Sequence, residues 1–145
     1  MQLPSGKIVY PSTPIYPGSN FTWGEATKNC TRALKNLWID EVLVATALQI
    51  EARIIKTASA MDTIRASLGN YPITVTSWYR ASSINKLVGG SKYSRHQYGD
   101  GVDWKVNHLS PRQIAAILES SHTDGGYKAY QKFTHTDWRG YKARW

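Results

Sequence analysis

Cysteine is almost missing from this chain. Cys30 is the single one in 145 residues, so no intrachain disulfide can form. A lone thiol with no patterned partner is read as a small core residue rather than a nucleophile. Long apolar runs are missing too. None approaches the roughly 20 residues that cross a bilayer, so membrane insertion is not expected. The opening segment MQLPSGKIVYPSTPIYPG lacks the apolar centre of a secretory signal peptide. The chain is therefore expected to carry no signal of its own. Low-complexity segments and runs of five or more Lys or Arg are absent, which argues against a polycationic tail. Acidic residues are scarce, 10 Asp and Glu against 18 Lys and Arg, giving a formal net charge of +8.

What is present suits one folded domain. The length allows a sizeable core, and 41% of residues are hydrophobic, as in ordinary globular proteins. The basic balance favours an acidic partner such as nucleic acid, an anionic membrane or an anionic cell wall. Six Trp and nine Tyr could stack on bases or sugars, but such residues more often fill cores and pocket walls. Two N-x-T triplets, at Asn20 and Asn29, are read as chance.

Local signals order the chain. Residues 1–19, with Pro4, Pro11, Pro14 and Pro17, read as extended or irregular. Thr22 with Glu25 forms a capping box that starts a short helix. From Ile39 to Ser67 apolar residues recur three or four apart (Val42, Ala45, Leu48, Ala52, Ile55, Ala58, Met61), which predicts one helix over 39–67. Asp40 and Glu41 stand where its dipole favours acid, and Gly69-Asn70 with Pro72 ends it. Residues 72–79 alternate as a strand rich in β-branched side chains. Ser82 to Val88 reads as a short helix or turn, and 102–106 as a second strand. Ser110, Pro111 and Gln113 mark a further helix start, with Ile114, Ala115, Ile117 and Leu118 as its buried stripe. Residues 127–136 read as a strand pair. Strands bracketing helices in this order predict an α+β fold with a small, largely antiparallel sheet.

The chemistry concentrates between Ser77 and Asp103. His96 and Asp103 are separated by a segment containing Gly99 and Gly101, which permit a tight turn. Imidazole and carboxylate are ordinary zinc ligands, and His135 downstream could supply a third. Three protein ligands with one open position suit a catalytic zinc rather than a structural one. The same His and Asp could equally form a plain polar turn.

The wider string separates these readings. Ser77, Tyr79 and Arg80 fit S-x-Y-R; Asn85, Val88, Gly89 and Gly90 fit N-x-x-V-G-G; Ser94, His96, Gly99 and Asp103 fit S-x-H-x-x-G-x-A-x-D, with Gly101 in place of the alanine. Phe133, His135, Asp137, Arg139 and Gly140, followed by Arg144 and Trp145, fit F-V-H-V-D-x-R-G and R-W, with Thr134 for the first valine. Together these resemble the D-alanyl-D-alanine peptidase family of zinc metallopeptidases, the M15 type, related in fold to the hedgehog signalling domain.

The resemblance implies a hedgehog/D-Ala-D-Ala peptidase-like α+β fold, with 1–19 as a Pro-rich N-terminal extension and 20–145 as the zinc peptidase domain. It implies Zn²⁺ held by His96, Asp103 and His135. Arg80 would bind the substrate carbonyl or carboxylate, and Ser94 the peptide on the other side of the scissile bond. The better-known branches place an acid three residues before the last histidine, and this chain has Lys132 there. The general base is thus open. Asp137 is the first candidate, with an orienting role or metal ligation as its alternatives, and His122 and Asp124 come after it.

The implied function is hydrolysis of peptide bonds in bacterial peptidoglycan, in stems or cross-links containing D-amino acids. A small single-domain hydrolase without a signal resembles a phage endolysin held in the host cytoplasm until release, or equally a virion-associated or prophage-derived lytic enzyme, and a monomer is expected. Two other readings stand beside it: a catalytically inactive zinc-holding module of the same fold, and a nucleic-acid-binding domain suggested by charge and aromatics alone. Nucleic acid is not the expected partner.

Overall fold

The computed structural model describes residues 1–145. Its centre is a five-stranded sheet built from β3 (Thr74–Ser77), β4 (Gly101–Lys105), β5 (Gly126–Ala129), β6 (Thr134–Asp137) and β7 (Ala143–Arg144), in the order β3-β4-β6-β5-β7. All neighbours are antiparallel except β5 and β7. Helices flank it: α1 (Trp23–Ala26), α2 (Ala47–Ser67), α3 (Ser82–Leu87) and α4 (Pro111–Ser121). This is the α+β architecture with a small, largely antiparallel sheet that the pattern of elements predicts.

The period-two alternation of strands sorts β4 and β6 into two faces. Val102 and Trp104 pair with Thr136 and Thr134, while Asp103 pairs with His135. The first set faces the core, where the Trp104 indole donates to Thr136 Oγ1 at 3.0 Å and Thr136 Oγ1 reaches Met61 Sδ of α2. The second set faces the opposite side, and that side carries the site. Trp23, Trp78 and Trp104 are fully buried. Each removes on the order of 200 Å² from water, worth about 5 kcal/mol by area.

The helix expected over 39–67 begins only at Ala47. Before it, β1 (Leu37–Ile39) and β2 (Val42–Ala45) form a separate antiparallel hairpin in which Ile39 pairs with Val42. Asp40 and Glu41 are its two-residue turn, with φ of 50° and 67°, the signs of a type I′ turn. They are not an acidic helix start. The true start is Thr46, whose hydroxyl accepts from Gln49 N–H while Gln49 caps Thr46 in return. The buried stripe of α2 is Ile50, Ile54, Ala58, Met61 and Ile64, whereas Leu48 and Ile55 are exposed. In α4, too, only Ile114 and Leu118 are buried and Ile117 is exposed; the helix packs on β5 and β6 along this narrow stripe.

The first nineteen residues lie against the domain. Leu3, Val9 and Ile15 are buried in the same core. Asp62 of α2 holds the segment's end, accepting from Tyr16 Oη, from Ser19 Oγ at 2.7 Å, and from Asn20 N and Nδ2 at 3.0 and 2.9 Å. Cys30 is half-buried and unpaired, packed against the core.

Candidate metal centre

Register brings two of the candidate ligands together. Asp103 and His135 are directly opposed on β4 and β6, so their side chains rise from the same face as nearest cross-strand neighbours. His135 Nδ1 lies 2.8 Å from Asp103 Oδ1. The third arrives on a 3-10 turn, residues 95–98, laid over the start of β4. Ser94 caps that turn, its Oγ accepting from His96 N–H at 3.3 Å. Gly99 ends it at φ 85°, where an added Cβ would stand 2.9 Å from Ile54 Cγ1. Both its conformation and its space therefore require glycine. His96 Nε2 comes to 3.2 Å from Asp103 Oδ2. One ligand atom from each of His96, Asp103 and His135 lies within 4.8 Å of the others, and all three residues are buried.

Neighbouring acceptors decide which nitrogen each imidazole offers. His96 Nδ1 is 2.6 Å from the Trp78 carbonyl. A carbonyl only accepts, so Nδ1 carries hydrogen and Nε2 keeps its lone pair for the cluster. His135 is turned the other way, with Nε2 2.9 Å from Asp137 Oδ2. An ionised carboxylate only accepts, so Nε2–H donates and Nδ1 faces the cluster. Trp78 also donates its indole N–H to Gly99 O at 2.8 Å, bracing the turn at its other end.

Asp137 is wholly buried and committed. Arg139 binds it through Nε at 2.8 Å and Nη2 at 2.6 Å, and Gly126 N–H donates to Oδ1 at 2.9 Å. Burial alone would raise its pKa, but the bonds from Arg139, His135 and Gly126 together hold it well below the carboxylate range. Burial acts the same way on Asp103, yet the two imidazoles carry it down to about 2. Burial would lower His135, and its contacts with Asp103 and Asp137 raise it instead. A metal ion on the shared side would take the place of a proton between Nδ1 and Asp103 Oδ1, which lie 2.8 Å apart. Two imidazoles and a carboxylate are donors that zinc accepts, and the locked tautomers leave a lone pair from each ring on the shared side. The residues fit the metal.

The cluster forms part of the lining of a cleft of about 530 Å³ that also includes Arg80 and Ser94. Arg80 is half-buried. Its one ion pair is long, 3.9 Å from Nη2 to Asp103 Oδ2, and its Nε has no partner. Burial pushes the guanidinium pKa down and Asp103 pushes it back up, without removing its charge. Its donors are unspent. The other proposed base residues do not reach this cleft. His122 Nε2 is held by the Asp137 and Gly126 carbonyls at 2.8 and 3.2 Å, and with Asp124 it lines a different cavity beside Trp138. Lys132 is exposed on the β5–β6 turn, where Tyr130 and Phe133 line the cleft instead, their rings stacked at 4.6 Å.

Two contributors escaped sequence reasoning. The Trp78 carbonyl orients His96, and no side-chain identity marks a backbone oxygen. Arg139 anchors Asp137; the D-x-R spacing, which runs from the last residue of β6 into the loop after it, is the available signal. Trp145 packs edge-on to His135 at 5.6 Å and under Arg139 at 4.9 Å.

The family model for peptidase M15 matches residues 18–137. A zinc D-Ala-D-Ala carboxypeptidase of Streptomyces albus G is 28% identical over 130 residues, covering 85% of this chain and 46% of that protein. The chain therefore spans about half the length of this curated relative. The match to the family model takes in His96, Asp103, His135 and Asp137, and the chain belongs to the peptidase M15 family.

Proposed function

We propose that this chain is a zinc-dependent peptidase that cuts peptide bonds of bacterial peptidoglycan in D-amino-acid-containing stems or cross-links. The observation that carries the reading is the pair of imidazoles, His96 and His135, locked in opposite tautomers so that both present lone pairs beside Asp103 at the bottom of a cleft. The carboxypeptidase named above supports the substrate class. The net charge of +8 suits an anionic wall.

His96 through Nε2, Asp103, and His135 through Nδ1 are the residues that would hold zinc. A zinc ion there supplies Lewis acidity and an acidified water. The protein's own groups do the rest. Arg80 directs an uncommitted guanidinium at the same cleft, where it binds the scissile carbonyl or a terminal carboxylate and holds the negative charge that develops on oxygen. Ser94 spends an oxygen lone pair on its cap and keeps its hydroxyl proton for a substrate carbonyl. Asp137 is a positioning residue: it sits behind His135, away from the cleft, and fixes the ring's tautomer. No carboxylate besides Asp103 lines the cleft, so proton delivery to the leaving amine falls to the phenols of Tyr93 and Tyr130 or to solvent. A phage or prophage lytic enzyme, acting as a monomer after release from the host cytoplasm, is the setting this reading proposes.

Digestion of purified sacculi with zinc-loaded protein, with His135→Ala alongside, tests it. Loss of turbidity with the parent alone is expected. The masses of released peptides distinguish internal cleavage from removal of a terminal D-residue. No released product from the parent refutes the reading.

A further inference from the structure

A second cavity, of about 490 Å³, lies beside the catalytic cleft. The two share a wall, for Gly89 and Gly90 line both. That wall is thin by necessity. A Cβ on Gly90 would stand 2.1 Å from Asn85 Oδ1, and Gly89 has φ 74°. The far side of the cavity is the β1–β2 hairpin, which presents Trp38 at 57% exposure. Leu43, the register partner of Trp38, is exposed as well. The fold does not use this indole: Trp38 is the outward residue of a strand whose two neighbours, Leu37 and Ile39, are buried.

An exposed ion pair joins the hairpin turn to the loop after the glycines. Lys92, on the loop that follows the glycine wall, pairs with Asp40 at the hairpin turn, 2.6 Å between Nζ and Oδ1. The rest of the lining is polar, with Ser82, Lys86 and Gln97 among it. Asp40 offsets Lys92, which leaves Lys86 as the one uncompensated cation, too little charge for a polyanion. An apolar peptide would leave the Ser82 hydroxyl and the Lys86 ammonium unmatched. A sugar ring matches both halves. Its C–H face lies flat on an indole, while its hydroxyl and N-acyl groups exchange hydrogen bonds with short polar side chains.

We propose that this cavity is a saccharide subsite, in which Trp38 stacks on a pyranose ring of the glycan strand bearing the peptide under attack. The inference rests on the peptidoglycan reading above and adds to it that the enzyme grips sugar and peptide on the two sides of the Gly89-Gly90 wall.

The test compares zinc-loaded parent and Trp38→Ala on two soluble substrates, a disaccharide-peptide fragment and the same peptide freed of sugar. The ratio of kcat/KM for the two is expected to fall by about tenfold in the variant, the scale of one lost aromatic anchor. An equal loss on both substrates, or no loss on either, overturns the proposal. A second readout needs no catalysis: NMR titration of the metal-free parent with peptide-free glycan oligomers. Movement of the Trp38 indole resonance is expected, and an unmoved resonance with saturating oligomer refutes the subsite. If the parent cleaves neither substrate the peptidase reading fails, while this titration still decides whether the cavity takes sugar.

Discussion

Replacing Asp137 by Asn separates a positioning role from a base. The change keeps volume and removes one acceptor oxygen. In the parent each oxygen takes two donors: Oδ1 from Gly126 N and Arg139 Nε, at 2.9 and 2.8 Å, and Oδ2 from His135 Nε2 and Arg139 Nη2, at 2.9 and 2.6 Å. An amide serves one pair and turns its NH₂ toward the other. If NH₂ faces His135, the ring must accept at Nε2 and carry its proton on Nδ1, which takes the lone pair away from the cluster. If NH₂ faces Gly126 and Arg139, three donors crowd together in a buried place. Each arrangement forfeits hydrogen bonds to a charged group, worth about 1.5–3 kcal/mol apiece. Loss of an orienting partner of this kind lowers metal affinity about 10- to 100-fold, or roughly 1.4–2.7 kcal/mol. Competition with a chromophoric chelator measures it. A zinc affinity within about twofold of the parent, accompanied by collapsed kcat, would refute the positioning argument and restore Asp137 as a base.

Four further outcomes follow from the same geometry. Gly99→Ala forces a left-handed alanine against Ile54; a loss of about 2 kcal/mol or more in urea unfolding, together with weakened zinc binding, is expected, and an unchanged midpoint contradicts it. Arg80→Lys keeps charge and loses the two-pronged fork, so kcat/KM drops by about 10²–10³ while zinc content stays at parent level; equal activity would remove Arg80 from the site. Zinc competes with the proton on His135, whose pKa is raised. The metal-free protein enjoys that proton's stabilisation below the unfolded pKa and loses it as pH rises through the folded one. The rise in Tm produced by zinc is therefore larger at about pH 8 than at about pH 6, and a flat increment in thermal scans refutes the linkage. Asp62→Ala releases the N-terminal segment at a cost of about 1 kcal/mol, discounted for partial exposure. Burial opposes ionisation of Asp62, but bonds from Tyr16, Ser19 and Asn20 lower its pKa, so the parent's advantage is present above the unfolded pKa and fades as pH falls through the folded one; urea midpoints that differ equally at every pH contradict this.

How much of this was legible in the sequence depended on whether the signal was local. The capping boxes at Thr22 and Ser110 appear where their spacing places them, because a cap is settled within four residues. Residues 39–45 read as helix because Val42 and Ala45 stand three apart, yet they form the turn and second strand of a hairpin on which these two side chains face opposite ways; the capping box at Thr46 and Gln49 marks the true helix start. Trp38 lies just before that range, and its outward place follows only from the strand pairing with Leu43. Nothing near Tyr16 or Asn20 announces Asp62, because the contact spans more than forty residues. Likewise the opposition of Asp103 and His135 is a matter of strand register, which the motif resemblance carries and the spacing does not. The tautomers lay beyond reach altogether, since a carbonyl of Trp78 and a buried Asp137 set them.

A crystal of zinc-loaded protein measured at the zinc absorption edge tests the central claim most directly. One anomalous peak is expected, touching His96 Nε2, an Asp103 oxygen and His135 Nδ1, within the ~2.0–2.2 Å that zinc keeps to such donors. A peak on the Nε2 side of His135 beside Asp137, or no peak among these three residues, would contradict it.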